Sequence, residues 1–359
     1  MKISQTKLSD GRDLFYFDRH DKVRNAVDSR ALERPKSASV MRWDELSNEW
    51  VLIASARQDR VFMPSTESCP LCPTTKDNQS EIPEDNYDLV VFENRFASLS
   101  RQGLPGSAED IPGYGQCEVV SFSSDHETPL AFLGYEKIKL YVEALQHRTK
   151  ELARDPRIQY IFAFENRGER VGVTMSHPHG QIYAYPFVPP RAKSMVDAEQ
   201  NLKLEAPSHN SLENVGPNER TLFVTDHWQV FVPYAARWPF EVHIFPQREV
   251  GLITDLSPQE LSDLALAYGA VLGAFEKLFE SNTAYIASWI QSPVNCESSL
   301  RTMHVEVVSP QRGVDKFKYL AGSESGMGTF ISDITPENAA ETLRPLTMAA
   351  LNDLRQQND

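Results

Sequence analysis

The sequence predicts an α+β fold of two repeated halves, each an antiparallel sheet with packed helices. Two observations carry this. The order strand, helix, strand, strand occurs twice, with an offset of roughly 125 residues. In both copies the helix shows apolar residues at helical spacing. At 359 residues and 41% hydrophobic, the chain is long and apolar enough to bury one large core or two smaller ones.

Residues 1–35 read as a polar, irregular N-terminal arm. Trp50–Ala54 reads as a strand after the polar turn Leu46-Ser47-Asn48-Glu49. Residues 64–88 are rich in Pro, Ser, Thr, Asp and Asn and read as a loop holding the pair Cys69 and Cys72. Val90–Phe92 opens another strand, leading into Glu93-Asn94-Arg95-Phe96.

The first copy begins with the strand Glu118–Phe122. Its helix is marked by Ile138, Tyr141, Val142, Leu145 and Leu152, and the strands Tyr160–Phe164 and the run from His179 follow. Leu222–Val224 and Val230–Val232 then suggest a hairpin around Asp226-His227. The second copy begins with Glu241–Phe245. Ser257, Pro258 and Glu260 give its helix an N-cap, a first-turn proline and a capping box. Leu261, Leu264, Tyr268, Leu272, Phe275 and Phe279 mark the buried face, before the strands Tyr285–Ile290 and Met303–Val308. A last helix starts at Thr335-Pro336-Glu337, and Pro345 is expected to break or kink it. The plan is an arm (1–35), an N-terminal half (36–200) and a C-terminal half (201–359), and the halves need not fold independently.

A net charge of −14 and a pI near 5.2 repel phosphate backbones and anionic lipid, which argues against nucleic-acid or membrane partners. A local cluster of donors is still enough for a small phosphorylated ligand. The N-terminus lacks the apolar core of a signal peptide, and no apolar run reaches transmembrane length. Four cysteines in so long a chain make no disulfide framework, which points to a reducing, cytoplasmic setting.

The segment Thr174–Gln181 (TMSHPHGQ) carries the most chemistry. His177 and His179 lie two apart, on one face of an extended chain, and Gln181 continues that face with an amide donor. Pro178 stiffens the link, and Gly180 is expected to let the backbone approach a ligand. Imidazole is largely unprotonated at neutral pH and forms a labile phosphorus–nitrogen bond, so it can accept a phosphoryl group and pass it on. Cys69-Pro70-Leu71-Cys72 has the spacing of a zinc knuckle. The competing redox reading needs a helix N-terminus after a strand, whereas this pair lies in a Pro-rich loop. Cys117 and Cys296 read as small buried residues.

The segment His177-Pro178-His179-Gly180-Gln181, together with VFENRF (91–96), FSSDH (122–126), FENRG (164–168), WPFE (238–241) and LITDLS (252–257), resembles the galactose-1-phosphate uridylyltransferase family. That family is a branch of the histidine-triad superfamily, and the resemblance runs from roughly Trp43 to Leu343. It implies histidine-triad-like halves and a ping-pong transfer from UDP-glucose to a hexose 1-phosphate, galactose 1-phosphate foremost, through uridylylated His179. Gln181 would hold the nonbridging phosphate oxygens. Asn94 and Asn166 would contact nucleotide and phosphates, Thr174 would stand near the phosphate, and Arg57 would lie in a nucleotide-binding segment. Lys318, Ser323 and Glu324, in KYLAGSE, match a sugar-phosphate loop that serves the other subunit, which implies a homodimer. His126 and His177 would join Cys69 and Cys72 around one structural zinc per chain. Without the resemblance, Asn94 and Asn166 read as turn residues and Lys318 and Glu324 as solvated surface.

Three stretches depart from the family. His304-Val305-Glu306 overlays His177-Pro178-His179 and puts Glu306 where the nucleophile would be. Trp289-Ile290-Gln291 lacks a histidine, so no second metal is expected and the second half reads as a scaffold. Ser323 stands where many relatives have a bulkier aromatic, and Ser325–Phe330 is a variant, which widens the range of hexoses to consider. Alternatives are a nucleoside-diphosphate-sugar phosphorylase and a nucleotide hydrolase of the same superfamily. KYLAGSE favours a sugar-phosphate acceptor, and a histidine row that stops at Gln181 disfavours the hydrolase.

Overall fold

The computed structural model describes residues 1–33, 39–59, 62–101, 111–202, 219–279 and 283–358; the expected boundary between 35 and 36 lies outside them. In chain order the strands are β1 (Lys2–Lys7), β2 (Asp13–Asp18), β3 (Val40–Asp44), β4 (Glu49–Ile53), β5 (Leu89–Glu93), β6 (Ile111–Pro112), β7 (Gln116–Ser121) and β8 (Tyr160–Arg167). They continue with β9 (His179–Tyr185), β10 (Thr221–Val224), β11 (Trp228–Phe231), β12 (Phe240–Pro246), β13 (Tyr285–Ile290), β14 (His304–Ser309), β15 (Gln311–Gly313) and β16 (Lys316–Phe317). The helices are α1 (Tyr135–Leu152), α2 (Pro190–Leu202), α3 (Pro258–Glu276), α4 (Gly322–Met327) and α5 (Pro336–Asn358).

Eleven strands form one antiparallel sheet in the order β1-β2-β5-β7-β9-β8-β13-β14-β12-β11-β10. The two halves join where β8 pairs with β13, so they share a single sheet. β4, β3 and β6 form a separate small sheet.

Because side chains alternate across a strand, the sheet sorts the sequence into two faces. Val120, Ile182, Ala163, Ala287, Val305 and Val242 lie in the main core with α1, α3 and α5. That core draws on both halves. Gly269 lies where three helices converge: a Cβ there would come within 2.6 Å of Ile138 and 2.8 Å of Leu354. The opposite face carries a register-matched row: Val119, Gln181, Phe164, Ser288, Glu306 and His243. Over the first half that face meets the loop 64–88, through Cys69, Leu71 and Ile82. Over the second half it meets α2, through Val196 against Ile290 and Leu300.

Three expectations are corrected. The segment 1–35 is not irregular throughout, because β1 and β2 form a hairpin that extends the sheet through β5. Gly11, at φ +85°, makes its turn possible, and β2 buries its Leu-Phe-Tyr-Phe run. Helix α5 continues through Pro345 rather than breaking there. A mid-helix proline costs about 3 kcal/mol, and buried residues on both sides of it, Ala339, Ala340 and Leu343 before and Leu351 and Leu354 after, offset this by holding the helix in the core. Cys296 is exposed, not buried; Cys117 is buried.

Candidate active site

His179 opens β9, and its Nδ1 donates to the carbonyl oxygen of His177 at 2.9 Å. A carbonyl only accepts, so the proton sits on Nδ1 and the lone pair on Nε2. The extended His-Pro-His backbone makes this bond local and rigid. His179, Gln181 and Thr174 line both of two cavities on this face. The larger, about 280 Å³, has apolar walls from Leu71, Phe92, Phe96, Val119 and Met175, with Arg30, Glu81 and Asn94 among its polar groups. The smaller, about 130 Å³, is lined by Arg57, Phe164, Asn166 and Tyr183. The His179 imidazole therefore stands between a larger, mainly apolar cavity that also holds Arg30 and Arg95 and a smaller, polar one that holds Arg57.

The two asparagines divide between the cavities. Asn94 also makes the turn that its residue type suggests: its Oδ1 accepts from the Phe96 N–H at 2.9 Å, leaving Nδ2 as the donor for a ligand. Arg57 is braced by Ser98 and by the Tyr183 hydroxyl, at 3.3 and 3.1 Å. Gly180 faces away from the site. A Cβ there would meet the Phe164 carbonyl at 3.1 Å and the Phe122 ring at 3.3 Å, so its small size serves packing beneath the strand, not ligand approach.

Lys318 and Glu324 are buried and paired at 2.5 Å, not solvated. Hydrogen bonding from Lys318 brings the Glu324 carboxyl down to about 2. The Ser323 hydroxyl donates to the Thr329 carbonyl at 2.8 Å, closing the loop around α4. None of Lys318, Ser323 and Glu324 lines either cavity at His179 within the single chain.

Cys69, Cys72, His126 and His177 converge, with one ligand atom from each lying within 4.8 Å of all the others. The Cys72 sulfur lies 3.3 Å from His126 Nδ1 and 3.6 Å from His177 Nδ1, and the Cys69 sulfur 3.7 Å from His177 Nδ1. A tetrahedral zinc with ordinary bond lengths sets sulfur–nitrogen edges of about 3.5 Å, so the set fits such an ion. The outer nitrogens are already engaged: His177 Nε2 with the Ser123 carbonyl at 2.9 Å, His126 Nε2 with Ser176 at 3.0 Å. Burial brings His177 down to about 4, which keeps it in the neutral, ligating form. Burial raises the Cys72 thiol to about 12, a penalty that a bound cation reverses.

Several groups at the site carry no motif of their own. Tyr183 follows from the period of β9, two residues beyond Gln181. Arg30 and Glu81 come from segments read as arm and loop, and only the tertiary fold brings them to the cavity.

The chain belongs to the galactose-1-phosphate uridyl transferase family: its N-terminal domain model matches residues 17–189 and its C-terminal domain model residues 197–356. A galactose-1-phosphate uridylyltransferase of Streptomyces lividans is 38% identical over 96% of this chain and 98% of its own length. One from Thermotoga maritima is also 38% identical, over 85% of this chain and 97% of its own. A solved uridylyltransferase structure superposes with a TM-score of 0.76 at 28% identity, covering 87% of this chain and 99% of that one. Among the described residues, no helix is long and apolar enough to cross a membrane.

Proposed function

We propose that the chain transfers a uridylyl group from UDP-glucose to a second hexose 1-phosphate, galactose 1-phosphate foremost, through a covalent intermediate on His179. The observation that carries this reading is the His179 Nδ1 bond to the His177 carbonyl, which puts the proton on Nδ1 and makes Nε2 the basic nitrogen of a side chain that lines both cavities. Nε2 attacks the α-phosphorus, a phosphorus–nitrogen bond forms, and the bond to glucose 1-phosphate breaks. A phosphate oxygen of the incoming hexose 1-phosphate then attacks the same phosphorus, releasing UDP-hexose and the free imidazole. Gln181 and Thr174, lining both cavities, steady the nonbridging oxygens. The apolar slot with Asn94 takes the nucleoside; Arg57 and Asn166 take the sugar-phosphate side.

Zinc at Cys69, Cys72, His126 and His177 belongs to this reading as a structural cross-link between the loop 64–88 and the approach to β9. So does a homodimer in which Lys318, Ser323 and Glu324 serve the partner's His179. The loop's exposed apolar side chains, Tyr319, Leu320, Met327 and Ile331, support insertion into a second copy. A cytoplasmic setting fits four cysteines of which none is in a disulfide.

Labelled glucose 1-phosphate tests the mechanism. It should exchange into UDP-glucose with no acceptor present, and the protein should gain one acid-labile uridylyl mass on His179. Exchange that requires the acceptor, or that survives His179→Ala, would rule the covalent route out.

A further inference from the structure

Arg30, from the N-terminal segment, lines the larger cavity and nothing above has given it a role. Arg30 is held on two sides. Its Nε and Nη2 donate to Asp28 at 2.8 Å each, and its Nη1 and Nη2 to Glu81 at 3.2 and 3.4 Å. Asp28 is fixed in turn by the Ser9 N–H at 3.0 Å, and Glu81 by Arg12. The Arg30 and Glu81 side chains are only 12% and 10% exposed. A guanidinium has five N–H groups, two of them on Nη1. Among the described residues the second Nη1 N–H has no protein partner, and Arg30 and Glu81 both line the cavity.

The hydrogen-bonding pattern tells what these two groups accept. Arg30 and Glu81 hold each other through hydrogen bonds, and Arg95 also lines the cavity. The apolar side chains Leu71, Phe92 and Val119 suit a flat neutral ring. The pair offers one N–H donor beside one carboxylate acceptor. That pattern complements a ring carbonyl next to an imide N–H.

We infer that Arg30 and Glu81 read the nucleobase and select uracil. Arg30 donates to a ring carbonyl, and Glu81 accepts the N3–H. Cytosine lacks that proton, so its N3 lone pair would face the carboxylate, leaving a desolvated acceptor without a donor. This rests on the nucleoside occupying the larger cavity, as in the proposed reaction.

Calorimetric dissociation constants for UDP and CDP test it without turnover. The wild-type chain should prefer UDP by about a hundredfold, a difference within reach of two such hydrogen bonds. Arg30→Lys keeps the charge beside Asp28 but not the fork, and should cut the UDP-to-CDP ratio about tenfold. Glu81→Gln supplies an amide N–H to cytosine N3 and should tighten CDP binding while weakening UDP, a gain that misfolding cannot produce. An unchanged ratio in both variants, or no wild-type preference, overturns the inference. Failure of the transferase reading shows separately, as absent glucose 1-phosphate exchange in the wild-type chain.

Discussion

On β9 and on β14, two positions that the sequence overlay matches, His179 and Glu306, lie under different covers. His179 lies beneath the loop 64–88, beside two cavities, with one ring nitrogen tied to the backbone. Glu306 lies beneath α2, and its carboxylate is fully engaged: Arg191 of α2 reaches it at 2.7 Å and His304 Nε2 at 3.2 Å. Burial alone would raise the Glu306 carboxyl, but the His304 hydrogen bond and the charges of His243 and Arg191 outweigh it and hold the group well below its ordinary range. Gln181 and Glu306 share one cross-sheet row, three strand steps or about 14 Å apart. The sheet therefore supplies equivalent platforms. The cover decides which one becomes a site: a loop leaves a cavity, whereas a helix brings a guanidinium that closes the position.

The largest expected effect breaks this symmetry outright. His179→Ala should reduce transfer by about 10⁴-fold or more, because no other group supplies the covalent step. Glu306→Gln should leave acceptor-independent exchange within several-fold of wild type and cost about 1–3 kcal/mol of stability, from the weakened Arg191 and His304 bonds. Restoring the histidine in the second half should not restore activity. The His179→Ala, Glu306→His double variant should take up no uridylyl mass, since α2 still covers β14. Uridylyl mass found on the introduced imidazole would mean that residue type, not cover, decides.

The next effect concerns what holds the cover. The loop over the first half is tied to the sheet through the Cys69, Cys72, His126 and His177 cluster; the second half uses Arg191 and Glu306 instead. Cys72→Ser, or chelation at neutral pH, should lower stability by several kcal/mol, since metal binding free energy is folding free energy. Denaturant titrations beside elemental analysis check this. Equal stability with and without about one equivalent of zinc per chain would mean that packing of Leu71 and Ile82 suffices.

Much of this contrast was legible in the chain. The His-Pro-His-Gly-Gln run is legible because its chemistry depends on residue type at fixed spacing along one strand. Overlaying His304-Val305-Glu306 on it puts Glu306 in the place of His179. Helix α2 was not, since Pro189-Pro190 opens a polar stretch with a weak apolar pattern, and its Arg191 finds Glu306 only through tertiary approach. The hairpin β1–β2 was hidden for a related reason: an edge strand such as Lys2–Lys7 is polar, and pairing rather than composition makes it a strand. Arg30 is the clearest case. Its use depends on Asp28 and on Glu81, fifty-one residues away, meeting it at one cavity.

The smallest effect lies on the helix side of the sheet, at the join between the halves. Glu165 of β8 pairs in register with Ala287 of β13, so one half buries a carboxyl where its neighbour buries a methyl. Glu165 is 1% exposed, and its carboxylate accepts from the Tyr285 and Tyr268 hydroxyls at 3.1 and 3.4 Å. Burial raises it to about 7, and the Tyr285 hydrogen bond and the Arg167 charge offset only part of that. Glu276, paired with Arg167 at 2.9 Å, adds repulsion. A carboxyl raised in the folded state binds its proton more tightly there than in the unfolded chain. Stability from this group is therefore present below the unfolded value near 4.5 and is lost as pH rises towards 7. Glu165→Gln keeps an acceptor for the tyrosines and removes the titration. The two proteins should have similar urea midpoints near pH 4.5, and by pH 8 the variant should be the more stable by up to about 3 kcal/mol, as one pKa unit is about 1.4 kcal/mol. Taking the difference between the proteins cancels every other titrating group. A difference that stays constant from pH 4.5 to 8 would mean that the tyrosine hydroxyls and Arg167 compensate fully for burial, and that the two halves bury their central strands at equal electrostatic cost.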